Sequence, residues 1–125
     1  MSAPWEIPDL QFSLDAATDL SGKQYHFVTP DADSKFGICT AGDGGWVLQN
    51  KPEAGKAATV QKGGITRVVA GDAITAPAYV TSDANGKAVT ATTGDIINGY
   101  AITSASAADE QVTMVDMFVG YVKPA

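Results

Sequence analysis

The sequence predicts an all-β domain, a small β-barrel or tulip-like sheet that follows an extended N-terminal arm. Turn signals recur about every 8 to 12 residues through the centre of the chain, which is typical of a β-rich domain. The runs between these turns are rich in β-branched residues, and no long apolar stripe has the helical period. On length, the 125 residues make one domain.

The central stretch from Trp46 to Thr93 carries the clearest rhythm of strands and turns. Val47 and Leu48 are strand residues that stop before Pro52, because proline cannot donate a hydrogen bond to a ladder. A second strand is predicted from Ala57 to Val60. Gly63-Gly64 predicts a turn after it, and Ile65 to Val69 predicts the next strand.

A hairpin is predicted at the end of this stretch. Tyr79-Val80-Thr81 leads into Asp83-Ala84-Asn85-Gly86, and Ala88 to Thr92 returns. Asn-Gly between two β-prone runs favours a tight turn with positive φ at both turn positions. Four other predicted strands span residues 24–29, 35–40, 96–103 and 111–122. Residues 104–109 predict a loop or one helical turn.

The first 14 residues predict an extended arm, and residues 15–125 the β-rich domain. Pro4 and Pro8 disfavour a helix, yet the segment is too apolar for a disordered tail. Two alternatives are open: the arm folds back on its own domain or docks on a neighbouring chain. We predict the second. The candidate contact residues in the arm are Trp5, Ile7, Leu10 and Phe12.

The last strand, Gln111 to Val122, is apolar on both faces. A strand of this kind is covered on both sides. In a small domain one cover can be another subunit. The candidate contact residues here are Val115, Met117, Phe118 and Val119.

Charge and composition exclude several classes of partner and site. The net charge of −6 argues against nucleic acid, which requires clustered lysine and arginine. No apolar run is long enough to span a membrane, and no signal peptide is visible, so we expect a protein made in a cytoplasm. The single Cys39 is predicted to be a buried apolar residue, not a reactive thiol.

The residues needed for catalysis or metal binding are scarce. One histidine, His26, and one cysteine cannot assemble a structural zinc site, and no nucleophile motif is present. The Asp31 and Asp83 segments resemble the start of a calcium loop but lack its closing glutamate. We therefore predict that the protein is not an enzyme and needs no cofactor or metal. Trp46 and Trp5 could instead stack on a sugar, so a ligand-binding module is the alternative, for surface polysaccharide or host attachment.

The order of these segments resembles the decoration, or cement, proteins of tailed bacteriophage capsids. The segments that carry the resemblance are LQNKP, AG, AATV, VAG, AIT and VTSDANGKAVTAT, followed by GYAI and VTMV, between Leu20 and Met117. Two features depart from the pattern. Ala76-Pro77 stands where a glycine-led strand start is expected, and Phe118–Ala125 extends past the usual end.

The resemblance implies a capsid-binding function. It predicts a protein that binds the outer surface of the assembled head shell and reinforces it, made in the bacterial host and located on the virion. The implied partners are the major capsid protein and further copies of the chain, as a homotrimer on the shell.

Overall fold

The computed structural model describes the backbone of residues 7–124 and the side chains of residues 11–116 and 122–124. All nine strands of the described backbone belong to one sheet, and this backbone contains no helix, which confirms the predicted all-β class. In chain order the strands are β1 (Ile7–Asp15), β2 (Phe27–Pro30), β3 (Phe36–Ile38), β4 (Trp46–Leu48), β5 (Ala57–Val69), β6 (Ala78–Ser82), β7 (Ala88–Thr90), β8 (Ile96–Ala101) and β9 (Gln111–Val122).

The sheet is antiparallel and curls until its two ends meet. Its strand order is β3-β2-β4-β5-β9-β8-β6-β7, and β1 pairs with β5 outside this path. The N–H of Phe27 at the β2 end donates to the carbonyl of Gly86 in the β6–β7 turn, at 2.6 Å. The N–H of Gly42 donates to Ser82 at 2.8 Å. These bonds join the ends and give the sheet its barrel-like form.

Strand β5 is the longest element, and it corrects one prediction. We predicted a turn at Gly63-Gly64, but β5 continues through both glycines, whose φ angles are 75° and 69°. Only glycine adopts such angles without a steric penalty. The ladder with β1 keeps β5 extended through the two glycines, because Leu10 of β1 lies opposite Lys62 and Pro8 lies opposite Gly64.

The predicted hairpin is present, with a different turn. Strands β6 and β7 pair through Val80↔Thr90 and Ser82↔Ala88. Gly86 has a φ of 75°, whereas Asn85 is not left-handed. The Asp83 carboxylate instead accepts the N–H groups of Asn85 and Lys87, at 2.8 and 2.9 Å. A side-chain-stabilised loop therefore replaces the tight two-residue turn.

The described residues form two hydrophobic clusters on opposite faces of β2 and β4. Phe27 and Val47 point into the barrel, and their neighbours Val28 and Leu48 point to the other side. Leu20, from the connection between β1 and β2, belongs to that outer cluster. Burial of both faces explains why these two short strands have apolar residues in succession.

The first strand belongs to the sheet of its own chain. We predicted that residues 2–14 lie against a neighbouring chain, but β1 pairs with β5 from Ile7↔Ile65 to Asp15↔Ala57. Leu14 packs against the outer cluster. Eight residues of β1 have partners in the longest strand, and this pairing satisfies backbone groups that an arm without a ladder leaves free, which explains the difference. Trp5 lies outside the described residues.

Cys39 is buried, as predicted. Burial raises the pKa of its thiol to about 12, and the negative charge of Asp43 adds to this effect. Its sulfur faces Gly45, where an added Cβ would collide with Sγ and stand 2.7 Å from the carbonyl oxygen of Val28. Gly45 is therefore required by this close approach.

In the described part of the chain, no helix is long and apolar enough to cross a membrane.

His26 makes stability depend on pH. Burial lowers the pKa of the His26 imidazole from its ordinary value of 6.5, the charges of Lys23 and Lys87 act in the same direction, and a contact with the Gln24 carbonyl opposes them. Below the ordinary value, the unfolded chain therefore binds more protons than the folded chain, so acid favours unfolding.

We predict that the free energy of unfolding decreases as pH falls from about 7 to about 5, and that His26→Gln flattens this decrease. The carboxyls of Asp19, Asp109 and Glu110 have lowered pKa values, so they act in the more acidic range below about pH 4. Denaturant unfolding at a series of pH values measures the effect. An equal slope in the variant would contradict it.

Candidate interaction surface

A row of apolar side chains crosses four strands on the outside of the sheet. Ile65 of β5 lies opposite Val115 of β9. Val115 lies opposite Tyr100 of β8, which lies opposite Tyr79 of β6. Residues directly opposite each other in a ladder project to the same face. We call these four residues the outer row.

The outer row is open to solvent, while the other face of the same strands is closed. Tyr79 is 46% exposed and Val115 is 37% exposed, and Ile65 and Tyr100 are half-buried. The residues that follow Tyr100 and Ile65 and precede Val115 are fully buried; they are Ala101, Thr66 and Met114. The strands thus alternate between core and surface, and the surface positions are apolar where a solvated sheet has polar residues.

The tyrosines of the outer row contact each other in a tilted arrangement. The ring centroids of Tyr79 and Tyr100 are 4.9 Å apart, with their planes at 52°. Cross-strand aromatic pairs stabilise a sheet, and aromatic residues are enriched at protein interfaces. Ile102, 43% exposed, lies near this pair, and its N–H donates to the Thr113 carbonyl at 2.9 Å.

Arg67 provides a positive charge two residues beyond Ile65 on β5. Its guanidinium carbon lies 5.7 Å from the centre of the Tyr25 ring. Tyr25 has a left-handed φ of 64°, which is rare for a bulky residue. Its N–H donates to Leu48 and its carbonyl accepts from Val69, at 2.6 and 2.9 Å, and these bonds hold the strained conformation beside Arg67.

The predicted contact residues of the last strand fall in two groups. Val115 lies in the outer row. Met117, Phe118 and Val119 belong to the part of β9 where its pairing with β8 shifts register. Gly99 pairs with Asp116, whereas Ile97 pairs with Tyr121. Four residues of β9 therefore stand against one residue of β8, which is a large bulge. The side chains of the three residues lie outside the described part.

The predicted contact residues of the arm are distributed along β1. Ile7 is opposite Ile65, so the backbone of β1 passes the end of the outer row, and Leu10 is opposite Lys62. Phe12 is 37% exposed and packs against the ring of Phe36, which belongs to the outer cluster. Of the predicted contact residues, the structure describes the side chains of Phe12, beside the outer cluster, and Val115, in the outer row.

An aromatic cluster lies around Phe12. Its ring centroid is 5.8 Å from that of Phe36 and 5.7 Å from that of Trp46, and Phe36 and Trp46 are 6.1 Å apart. Trp46 is half-buried and meets both phenylalanines nearly edge to face. Its packing favours a structural role over that of an open platform for stacking a sugar.

The sequence interpretation missed Tyr79, Tyr100 and Ile102 as surface residues. Their alternation with buried neighbours was visible as a period of two. The register of the three strands that brings them to Val115 was not visible, because the period within one strand does not specify which residues of another strand lie opposite it. Among the described residues, no group of three or more histidines, cysteines, aspartates or glutamates could hold a metal ion.

Comparison with known proteins shows a similarity of fold. No family model matches the chain, and no curated protein matches it. The fold is similar to the crystal structure of the N base of head fiber gp8.5 in bacteriophage phi29, with a TM-score of 0.68 and 18% sequence identity. The similarity covers 91% of this chain and 98% of the phage chain. At this level of identity, the comparison establishes that the two chains share a fold.

We predict that Phe12→Ala lowers the free energy of unfolding by about 1–2 kcal/mol, because a half-exposed ring loses two aromatic contacts. In a Trp5→Phe background, Trp46 is the remaining tryptophan, and its emission should shift to the red as water reaches it. Val122→Ala is the matched control, since Val122 is 65% exposed. Unchanged stability and emission would show that β1 does not dock on the aromatic cluster.

Proposed function

We propose that this chain is a structural protein of a bacteriophage head, which binds the outer surface of the assembled shell and stabilises it. The observation that carries the proposal is the fold shared with a head fiber base over nearly the whole of both chains. The sequence resemblance to decoration proteins is independent support, because it depends on the order of short motifs and not on the fold. Both support a structural role on a phage head.

The proposed partners are the major capsid protein and further copies of this chain. The outer row suits such contacts because it is apolar and includes two aromatic residues, which are enriched at interfaces. It is also free of acidic residues. A chain with a net charge of −6 repels its own copies, so a contact between copies is least unfavourable at a face of this kind.

The size of the outer row indicates how such a protein would bind. A stable interface buries about 800 Å² on each partner, more than four partly exposed side chains supply. One contact through the outer row is therefore weak. A shell presents many equivalent sites, and chains that touch both the shell and each other gain from the high local concentration. Stabilisation of a shell in this way requires no catalysis and no cofactor.

A homotrimer on the shell is part of the proposal, with β9 close to the contact between subunits. Val115 is the member of the predicted β9 contact group that lies in the outer row. A reconstruction of decorated shells tests this arrangement, and isolated monomers on the shell would contradict it.

We predict that Val115→Asp reduces binding to shells assembled from the cognate major capsid protein by about tenfold or more. The substitution places a desolvated charge in the middle of the outer row, and a loss of about 1.4 kcal/mol corresponds to that factor. Co-sedimentation of purified protein with shells measures it.

Val122→Asp is the matched control, because it is the same substitution at a more exposed position of the same strand. Equal binding by the Val115 and Val122 variants would exclude the outer row as the contact. Failure of the unaltered chain to sediment with shells would contradict the proposed function itself.

We also predict that deletion of residues 2–6 leaves a folded protein that binds shells more weakly. The deletion spares β1, whereas a deletion through Leu10 would remove the partners of Lys62 and Gly64. Truncation of a buried tryptophan anchor costs about 2 kcal/mol or more at an interface. Trp5→Ala in the full chain is the companion variant. An unchanged melting temperature with full shell binding would exclude the segment as an anchor.

A further inference from the structure

A lysine and an aspartate lie side by side in the interior of the domain. Lys62 of β5 is 7% exposed and Asp116 of β9 is 5% exposed. The Lys62 Nζ lies 3.3 Å from Asp116 Oδ1. Neither residue has a role in the outer row or in the aromatic cluster.

The surrounding backbone fixes the lysine amine in this position. Lys62 Nζ donates a hydrogen bond to the carbonyl of Gly45 at 3.1 Å. Gly45 is itself held, because its N–H donates to Asn98 Oδ1 at 3.1 Å, and the Asn98 amide donates to the Asp43 carbonyl at 3.0 Å. Asn98 is 1% exposed. The amine therefore points at the carboxyl group from a rigid, buried support.

A buried ion pair is costly for a domain of this size. Removal of two charges from water takes several kcal/mol for each ion, and an apolar pair of similar volume is often as stable or more stable. The retention of a lysine and an aspartate at this point is therefore not explained by stability alone. Conversion of the pair into a neutral amide would remove both charges while keeping the two strands joined.

We infer that Lys62 and Asp116 form an intramolecular isopeptide bond that links β5 to β9. Proton transfer from the ammonium to the carboxylate gives a neutral amine and a carboxylic acid. The nitrogen lone pair then attacks Cγ of Asp116, and the new C–N bond forms. The carboxyl C–O bond breaks, and the hydroxyl leaves with a proton from nitrogen as water.

The geometry supplies what this condensation needs. Holding the two groups in contact replaces a bimolecular encounter, a gain that reaches many orders of magnitude in well-oriented systems. The Gly45 carbonyl binds one N–H of the amine and so limits how the amine can turn. The reaction consumes no oxidant or reductant, and water is its only by-product.

The experiment is an intact-mass measurement on the purified, denatured full chain. We expect a mass one water molecule below that of the sequence, and a digest that contains a branched peptide joining Lys62 to Asp116. Lys62→Arg should have its full sequence mass, because guanidinium is a poor nucleophile. Lys56→Arg, the same change at an exposed lysine, should retain the loss of water.

Other outcomes would overturn the inference. An unaltered chain with its full sequence mass contains an ion pair only. Loss of ammonia in place of water would indicate a carboxamide such as Asn98 as the acceptor. A loss of water that persists in Lys62→Arg would come from cyclisation elsewhere, for example at Asp43-Gly44. Because the first measurement uses the natural sequence, poor folding of a variant does not prevent a decision.

Discussion

The pairing of β5 on both of its edges is the constraint on which the fold depends. Val60 lies opposite Phe12 of β1 and Leu48 of β4, and Ile65 lies opposite Ile7 of β1 and Val115 of β9. One strand thus connects the outer cluster around β4 to the barrel formed with β9, β8 and β6. The continuity of β5 through its two glycines is what makes the two parts a single sheet.

Local chemistry made much of the fold predictable. The hairpin could be predicted because its signals, from Asp83 to Gly86, lie within a few residues of one another. The bounds of β9 followed from the most apolar segment of the chain, in which Asp116 is the charged residue. Gly63-Gly64 was misread because the ladder that keeps β5 extended there comes from β1, far earlier in the chain. Local propensity cannot report a partner that is distant in sequence.

The surface was harder to predict than the fold for the same reason. Val115 was selected for its own apolar strand, but Tyr79 and Tyr100 become its neighbours through two ladders that no local pattern specifies. Two separate observations bear on the proposed function: the fold shared with a phage head fiber base, and the exposed outer row. The shared fold supports the location that we propose for the chain, and the outer row supports the contact face that we propose.

The order in which the strands join has a consequence for how the chain folds. β1 cannot pair until β5 has been synthesised. β5 and β8 in turn each lack one partner strand until β9, which ends at Val122, has been synthesised. A chain emerging from the ribosome therefore holds unsatisfied strand edges until β9 has left the ribosome. Topologies dominated by such non-local pairing fold slowly, on the order of milliseconds to seconds. During that interval, the unpaired edges of β5 and of the apolar strands can pair with those of another nascent chain, which leads to aggregation. The longer β9 takes to be synthesised, the longer these edges stay unpaired.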